Sequence, residues 1–157
     1  MTSDIERNDA DTAFWANRIR PIAIVVFHRL DGAILVAPGY DRIKDQSFYR
    51  PLGGEIEFGE TAADAARREL LEELGAEVEN LSLLGVFENI FTFLGAQGHE
   101  IVFVFEAAFA DSSFYDRDVV YALEGDASFE VHWVPLQRFI DGEVPLYPDG
   151  LLGALRT

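Results

Sequence analysis

The segment from Gly53 to Gly75 constrains the fold more than any other part of this sequence. A Gly-Gly pair typical of a tight turn is followed by Thr61, whose hydroxyl suits the N-cap of a helix, and Gly75 stands where a helix would end. Between these signals, apolar residues recur at helical spacing, at Ala63, Ala66, Leu70 and Leu74. The pattern predicts a helix over Thr61–Leu74 that buries one face in a core.

A second face of this predicted helix carries three crowded carboxylates. Glu69, Glu72 and Glu73 stand at i, i+3 and i+4, where each exposed like-charge pair costs about 0.2–0.5 kcal/mol. A cation among the carboxylates would remove that cost. Because the chain has no cysteine and three histidines, oxygen ligands of this kind favour Mg²⁺, Mn²⁺ or Ca²⁺ over zinc. From the helix alone, a solvated face with Arg67 and Arg68 as ion-pair partners is an equal alternative.

The spacing of residues around the helix decides between these interpretations. From Gly54 onward the chain follows the pattern G-x5-E-x7-R-E-U-x-E-E-x-G-U, in which U is an aliphatic residue. Eight of the nine specified positions match: Gly54, Glu60, Arg68, Glu69, Leu70, Glu72, Glu73 and Gly75. The ninth is Ala76, which is apolar but small and affects packing at the helix end more than chemistry. The segment resembles the Nudix box of the Nudix hydrolases, the MutT-like family.

This resemblance implies a role for each carboxylate of the helix. In the family, carboxylates of the box bind divalent cations that bridge to a substrate pyrophosphate. By position, Glu72 and Glu73 match the principal ligands, and Glu69 matches a further ligand or the base that activates water. The carbonyl of Gly53 matches an additional oxygen ligand. The implied cofactor is Mg²⁺, with Mn²⁺ as an alternative.

Three other residues have supporting roles by the same resemblance. Gly54 is the box glycine at the turn. Arg68 matches the arginine that pairs with and orients a box glutamate, and Glu60 matches a position that braces the junction between loop and helix.

Residues outside the box are candidates for the remaining contacts. Family members often recruit one more acid as ligand or base, and the candidates here are Glu100, Glu106, Glu124, Asp126 and Glu130. Glu100 and Glu130 are also retained as candidate substrate contacts. Arg42, Lys44 and Arg50 lie in the part of the chain that is not net negative, and they are candidates to bind substrate phosphates. For each of these residues alone, an ordinary surface role stays open.

Apolar runs elsewhere in the chain predict strands at Ile22–Phe27, Ala33–Ala37, Leu83–Phe93, Ile101–Phe109 and Phe129–Leu136. The first two are separated by the turn signal Asp31-Gly32 and are expected to form a hairpin. Residues 40–47 are predicted to be loop. Short helices are expected at Gln137–Asp141 and Asp149–Leu155.

The order of these elements, together with the resemblance, implies an α/β fold. The expected architecture is the Nudix-type α/β/α sandwich with a central mixed β-sheet. Residues 1–17 are expected to form an N-terminal arm, and residues 18–157 a single Nudix hydrolase domain.

The charge of the chain excludes several kinds of partner. The net charge is −16, and residues 53–157 carry 21 acids and five bases, so a nucleic-acid backbone or an anionic membrane surface would be repelled. No apolar run approaches the roughly 20 residues of a membrane span, and the polar, acidic N-terminus is unlike a secretory signal. We therefore expect a cytoplasmic protein with a nucleotide-type small-molecule substrate, a homodimer being left open.

These observations predict divalent-metal-dependent hydrolysis of the pyrophosphate linkage in a nucleoside diphosphate derivative or a (d)NTP. The sequence does not choose between these two substrate classes. The alternative is a catalytically idle Nudix domain that acts as a nucleotide-binding sensor or interaction module. Idle versions usually lose box glutamates, whereas this chain keeps Glu60, Glu69, Glu72 and Glu73.

Overall fold

The computed structural model describes residues 13–156. Within that range the strands are β1 Ile19–Phe27, β2 Ala33–Asp41, β3 Gln46–Arg50, β4 Leu52–Glu55, β5 Val78–Phe93, β6 Ala96–Phe109, β7 Val119–Glu124 and β8 Ala127–Pro135. The helices are α1 Ala62–Leu74, α2 Leu136–Ile140 and α3 Leu151–Leu155, with a 3-10 helix at Ser112–Asp116. None of the helices in this range is long and apolar enough to cross a membrane.

The strands of the described chain form two four-stranded sheets, with the orders β4-β1-β6-β5 and β3-β2-β8-β7. Strands β1 and β6 run parallel, so that Arg20 lies opposite Glu100 and Ile24 opposite Val104. The other neighbouring strands pair antiparallel. The first sheet is therefore mixed, as the sequence predicts, while a second, antiparallel sheet lies beside it.

Helices cover both faces of the sheet layer because its central strands are apolar on both sides. Alternate residues of β1 enter two separate cores. Val25 lies in the core that contains Leu70 of α1. Ile24 lies in the core that contains Phe139 of α2 and Leu151 of α3. A continuous apolar strand fits this arrangement, since neither of its faces meets water. The expected α/β/α layering is confirmed.

Helix α1 is bounded by the residues that the sequence indicates. Thr61 is the N-cap, and its Oγ1 accepts a hydrogen bond of 3.1 Å from the backbone N–H of Asp64. At the other end Gly75 has φ 64°, a conformation that glycine adopts without strain. The fully buried residues of the helix are Ala65, Ala66 and Leu70.

The expected hairpin between the first two strands is wrong. Among the described residues, β1 and β2 meet at one isolated bridge, between His28 and Ile34, and then enter different sheets. There β1 pairs with β4 and β6, whereas β2 pairs with β3 and β8. Because both strands are buried on both faces, each occupies a central position with two other neighbours, and the turn signal between them does not set their pairing.

Other boundaries differ by a few residues. Strand β2 continues to Asp41 and β3 begins at Gln46, so the predicted loop over residues 40–47 is a tight turn. Strand β6 begins at Ala96, five residues earlier than predicted. Strand β7 was not predicted, because exposed and buried residues alternate along it instead of forming an apolar run.

Residues 1–12 of the predicted N-terminal arm lie outside the described residues. In its described part, the ring of Trp15 packs against Phe93 with centroids 5.4 Å apart. Ala16 forms an isolated bridge with Gly98. The end of the arm thus contacts the hairpin formed by β5 and β6.

Candidate active site

Two glycines of β4 lie so close to other backbone and side-chain atoms that a Cβ at either position would force a neighbouring group to move. A Cβ at Gly54 would lie 2.4 Å from the carboxyl carbon of Glu69. At Gly53, where φ is 153°, a Cβ would lie 2.0 Å from the carbonyl oxygen of Ala23. The Glu69 carboxylate therefore rests directly on the backbone of β4, and this contact brings the acidic face of α1 to the Gly-Gly turn.

Arg68 connects the carboxylates on this face. Its Nε and Nη2 donate to the two oxygens of Glu60 at 2.7 and 2.9 Å. Its Nη1 donates to Glu69 Oε1 at 2.9 Å and to Glu72 Oε2 at 3.3 Å. Nη2 also donates to the backbone carbonyl of Glu55 at 3.1 Å. One guanidinium thus orients two predicted metal ligands and ties them to β4.

The bidentate pair with Arg68 fixes the loop that precedes α1. Glu60 Oε1 also accepts a hydrogen bond of 3.0 Å from the backbone N–H of Glu57. The hydrogen bonds from Arg68 are the main reason that the pKa of Glu60 is lowered to about 2. In return, the carboxylate of Glu60 raises the pKa of Arg68. Both groups therefore stay charged and brace the junction between loop and helix.

Glu73 has the opposite kind of surroundings. Its Oε2 is buried and has no hydrogen-bond partner among the described residues. Burial, followed by the charge and hydrogen bond of Glu69, raises the pKa of Glu73 to about 9, and the charges of Glu124 and Glu72 add to this effect. Carboxylates that face each other away from water need a proton or a cation between them.

The donor atoms on this face fit a divalent cation with oxygen ligands. Glu69, Glu72 and Glu73 offer hard oxygen atoms, as does the carbonyl of Gly53, and the buried Oε2 of Glu73 has no other partner. Within residues 13–156, no three such side chains already converge around a common point. Arg68 holds Glu69 and Glu72 instead. The three predicted carboxylate ligands thus share one helix face, but they do not surround a common point.

Among the acids outside the box, Glu124 is the one whose charge acts on Glu73. It is the last residue of β7, a strand that packs against α1. Asp126 lies two residues further on, in the exposed turn between β7 and β8. The structure therefore favours Glu124 as the additional carboxylate near the predicted metal ligands.

Two other candidate acids pair with histidines. Glu106 Oε2 lies 2.6 Å from His28 Nε2, and Glu130 Oε2 lies 3.1 Å from His132 Nε2. Val131, the next residue in β8, is buried in the core of α1, so Glu130 points to the opposite face of its sheet. The structure brings neither Glu106 nor Glu130 to the box carboxylates.

Glu100 is 2% exposed and is surrounded by nitrogen donors. Arg20 Nη1 donates to its Oε2 at 3.3 Å, and Asn89 Nδ2 donates to its Oε1 at 3.4 Å. Arg50 Nη2 lies 3.6 Å from Oε1. Sequence reasoning missed Arg20 and Asn89. The available signal for Arg20 is its place at the start of an apolar strand, where a charged side chain needs a buried partner.

The two remaining basic candidates lie in the turn between β2 and β3. Lys44 Nζ donates to the backbone carbonyl of Thr92, and Arg42 is exposed in the same turn. The buried carboxylate of Asp41 accepts from the backbone N–H groups of Lys44, at 3.1 Å, and Leu94, at 3.2 Å. This turn is therefore hydrogen-bonded to the hairpin of β5 and β6.

Comparison with known proteins agrees with this fold. Residues 18–149 match the family model described as the NUDIX domain. A MutT NUDIX hydrolase from Burkholderia pseudomallei is 24% identical, with a TM-score of 0.58 over 77% of this chain and 86% of that chain. A NUDIX hydrolase from Nitrosomonas europaea is 16% identical, with a TM-score of 0.59 over 88% and 87%. The mutator MutT protein from Bacillus halodurans is 21% identical, with a TM-score of 0.55 over 88% and 80%. At these identities the likeness shows a shared fold.

Proposed function

Because this chain belongs to the NUDIX domain family, we propose that it hydrolyses a pyrophosphate linkage in a nucleoside diphosphate derivative or a (d)NTP, with a divalent cation as cofactor. The Nudix hydrolase fold supports pyrophosphate hydrolysis in general. The proposed substrate is a nucleotide-type small molecule, and the proposed cation is Mg²⁺, with Mn²⁺ as an alternative.

The observation that carries this proposal is the unpartnered oxygen of Glu73. A buried carboxylate among other carboxylates is unfavourable unless a proton or a cation joins it. The guanidinium of Arg68, on the same helix, is engaged by Glu60, Glu69 and Glu72. A nucleotide pyrophosphate would bring more negative charge to a chain whose net charge is already −16. Binding of a cation and binding of the substrate would therefore favour each other.

The residues of the box have separate tasks in this proposal. A bound divalent cation would neutralise pyrophosphate oxygens and lower the pKa of the attacking water. Glu72 and Glu73 are its principal ligands. Glu69, oriented by Arg68 through a bond of 2.9 Å, is a further ligand or the base that accepts the proton of the water. Glu60 holds Arg68, so its effect on catalysis is indirect.

The experiment is a hydrolysis assay on a panel of nucleoside diphosphate sugars and (d)NTPs, with Mg²⁺ and with excess EDTA. Products are separated by ion-exchange chromatography, so that the bond that breaks is identified. Glu72→Gln and Glu73→Gln each remove one predicted ligand charge while keeping the shape of the side chain. Glu79→Gln, at an exposed position of β5, is the matched control.

Turnover that needs Mg²⁺, is lost in both box variants and is kept in Glu79→Gln would support the proposal. Full turnover by Glu73→Gln would overturn the ligand assignment. If the wild-type chain binds nucleotides but hydrolyses none of them, the alternative of an idle nucleotide-binding sensor or interaction module takes its place.

A further inference from the structure

Outside the box, side chains from three other strands converge on the buried carboxylate of Glu100 in β6. In the first sheet, Arg20 of β1 and Asn89 of β5 lie directly opposite Glu100 of β6 in the strand register. Arg50 comes from β3, in the second sheet. We call these four residues the Glu100 cluster. It joins the two sheets through charged groups.

The two arginines of the Glu100 cluster differ in what else they contact. The side chain of Arg20 is 10% exposed, and its Nε also donates to Glu55 Oε2 at 3.3 Å. The side chain of Arg50 is 34% exposed, and Glu100 is the charged partner that the described residues give it. A guanidinium has five N–H donors. Arg50 therefore keeps N–H donors for a further anion, whereas Arg20 donates to two carboxylates of the protein, those of Glu55 and Glu100.

Arg50 lies close to the box along the chain, at the end of β3 and two residues before β4. Its cross-strand partner Ala37 packs against the core of α1, and Leu52, two residues further on, is buried in that core. Cross-strand partners, and residues two apart in extended chain, share one face of a sheet. Gly53, the proposed carbonyl ligand, follows Leu52 directly. In the second sheet Arg50 therefore shares a face with Ala37, whereas Glu100, two residues before Val102, lies on the face of the first sheet that packs against α2 and α3. The contact between Arg50 and Glu100 thus spans the boundary between the two sheets, three residues from the Gly-Gly turn.

Glu55 links the Glu100 cluster to the box. Its backbone carbonyl accepts a hydrogen bond of 3.1 Å from Arg68, and its side chain accepts one of 3.3 Å from Arg20. The Glu100 cluster and the box therefore both contact β4 at Glu55, two residues after Gly53. In a chain of net charge −16, a partly exposed guanidinium near the box reduces the repulsion that a polyphosphate experiences.

We propose that Glu100 is a positioning residue that holds Arg50 beside the box, so that the free N–H groups of Arg50 bind a phosphate oxygen of the substrate. The inference rests on the proposed function for the identity of that anion. Glu100 itself does not contact the substrate or the metal, because it is 2% exposed and both of its oxygens already have nitrogen partners.

The test is the binding of imidodiphosphate, a pyrophosphate analogue that is not cleaved at its bridging nitrogen, measured by titration calorimetry in the presence of Mg²⁺. Arg50→Ala and Glu100→Gln should each weaken the affinity about tenfold, the loss of a charge-assisted contact. The double variant should be no weaker than Arg50→Ala, because both changes remove the same contact. Glu88→Gln, an exposed glutamate on β5, should bind within about twofold of the wild type.

A second variant at Glu100 tests whether weaker binding is caused by loss of the fold. Glu100→Asp keeps the charge that Arg20 requires but withdraws the carboxylate from Arg50 by one methylene, and it should still weaken binding severalfold. On any substrate that is turned over, the Arg50 and Glu100 variants should raise KM about tenfold with little change in kcat, the signature of lost binding that is equal in ground and transition states. A purely structural role of Glu100 would not raise KM while leaving kcat unchanged, and it would not make the effects of the Arg50 and Glu100 substitutions non-additive.

Three results would overturn the proposal. The first is wild-type affinity for imidodiphosphate in folded Glu100→Gln or Glu100→Asp. The second is a double variant in which the two single effects multiply. The third is a wild-type chain that does not bind imidodiphosphate at all. The hydrolysis panel tests the proposed function separately, because turnover by the wild type combined with unchanged affinity in the Glu100 variants contradicts the positioning role alone.

Discussion

Glu73 and Glu100 are both carboxylates withdrawn from water, and the protein surrounds them in opposite ways. In the described part of the chain, one buried oxygen of Glu73 has no hydrogen-bond partner, and the charges that act on Glu73 come from other glutamates, Glu69 foremost. Glu100 is more deeply buried, yet Arg20 and Asn89 donate to its two oxygens. The chain neutralises one of these carboxylates itself and leaves the other without a cation.

This difference separates a structural glutamate from a proposed metal ligand. A charge removed from water is costly unless it is paired. Glu100 obtains its pairing within the fold, so its role there is to hold other side chains. Glu73 lacks such pairing, so the fold retains an unfavourable cluster that an external cation would relieve. An unneutralised carboxylate is therefore the better indicator of a metal site in this molecule than burial or acidity.

The largest expected effect is on catalysis, at Glu73. Glu73→Gln should lower kcat/KM about a thousandfold or more, at the upper end of what the loss of one charge-stabilising group costs. Its stability should be unchanged or higher, since a like-charge contact with Glu69 is removed. Steady-state kinetics and urea unfolding measure the two quantities on the same sample. A variant that is inactive because it is unfolded would break the comparison.

The next effect is on stability, at Glu100. Glu100→Ala should lower the free energy of unfolding by about 3–5 kcal/mol, because it leaves the buried charge of Arg20 without one of its partners. Urea unfolding measures this. The free energy of unfolding should fall for Glu100→Ala and should be unchanged or higher for Glu73→Gln. If both variants were destabilised equally, the two carboxylates would not have the different roles described.

The smallest effect is the pH dependence of stability in the metal-free protein. The pKa of Glu73 is raised from 4.5 to about 9 on folding. Between these values the folded chain binds a proton that the unfolded chain releases. The contribution of Glu73 to stability is therefore fully present below about pH 4.5 and falls as pH rises towards 9, by up to about 1.4 kcal/mol per pH unit. Unfolding in EDTA between about pH 6 and pH 8 should show this slope.

The control for this slope is a pair of variants. Glu73→Gln should flatten it, since the titrating carboxyl is gone, whereas Glu88→Gln should keep it. Added Mg²⁺ should stabilise the wild type more at the higher pH, where the carboxylate is free to bind. An equal slope in Glu73→Gln would mean that another group titrates.

The box and helix α1 could be predicted from the sequence because their signals are local. Thr61 and Gly75 mark the helix ends, and the structure places the cap and the turn at these residues. The convergence of Arg68 with Glu60 and Glu69 follows from spacing along one helix and the loop before it. The assignment of these residues to metal and water is still a prediction.

The Glu100 cluster could not be predicted, because long-range strand pairing creates it. Arg20 and Asn89 meet Glu100 through the parallel register of β1 with β6 and the antiparallel register of β5 with β6. Sequence patterns specify which segments are buried strands but not which strands become neighbours. For the same reason the predicted hairpin of β1 and β2 is incorrect, because the pairing of these strands depends on the order of all strands in the two sheets.

The most direct test of this account is a Mn²⁺ titration followed by electron paramagnetic resonance, on the wild type, Glu73→Gln and Glu100→Gln without substrate. The account predicts that the wild type and Glu100→Gln bind Mn²⁺ with similar affinity, whereas Glu73→Gln has lost most of that affinity. Equal binding by all three folded proteins would contradict the assignment of the unpartnered carboxylate of Glu73 to a metal site.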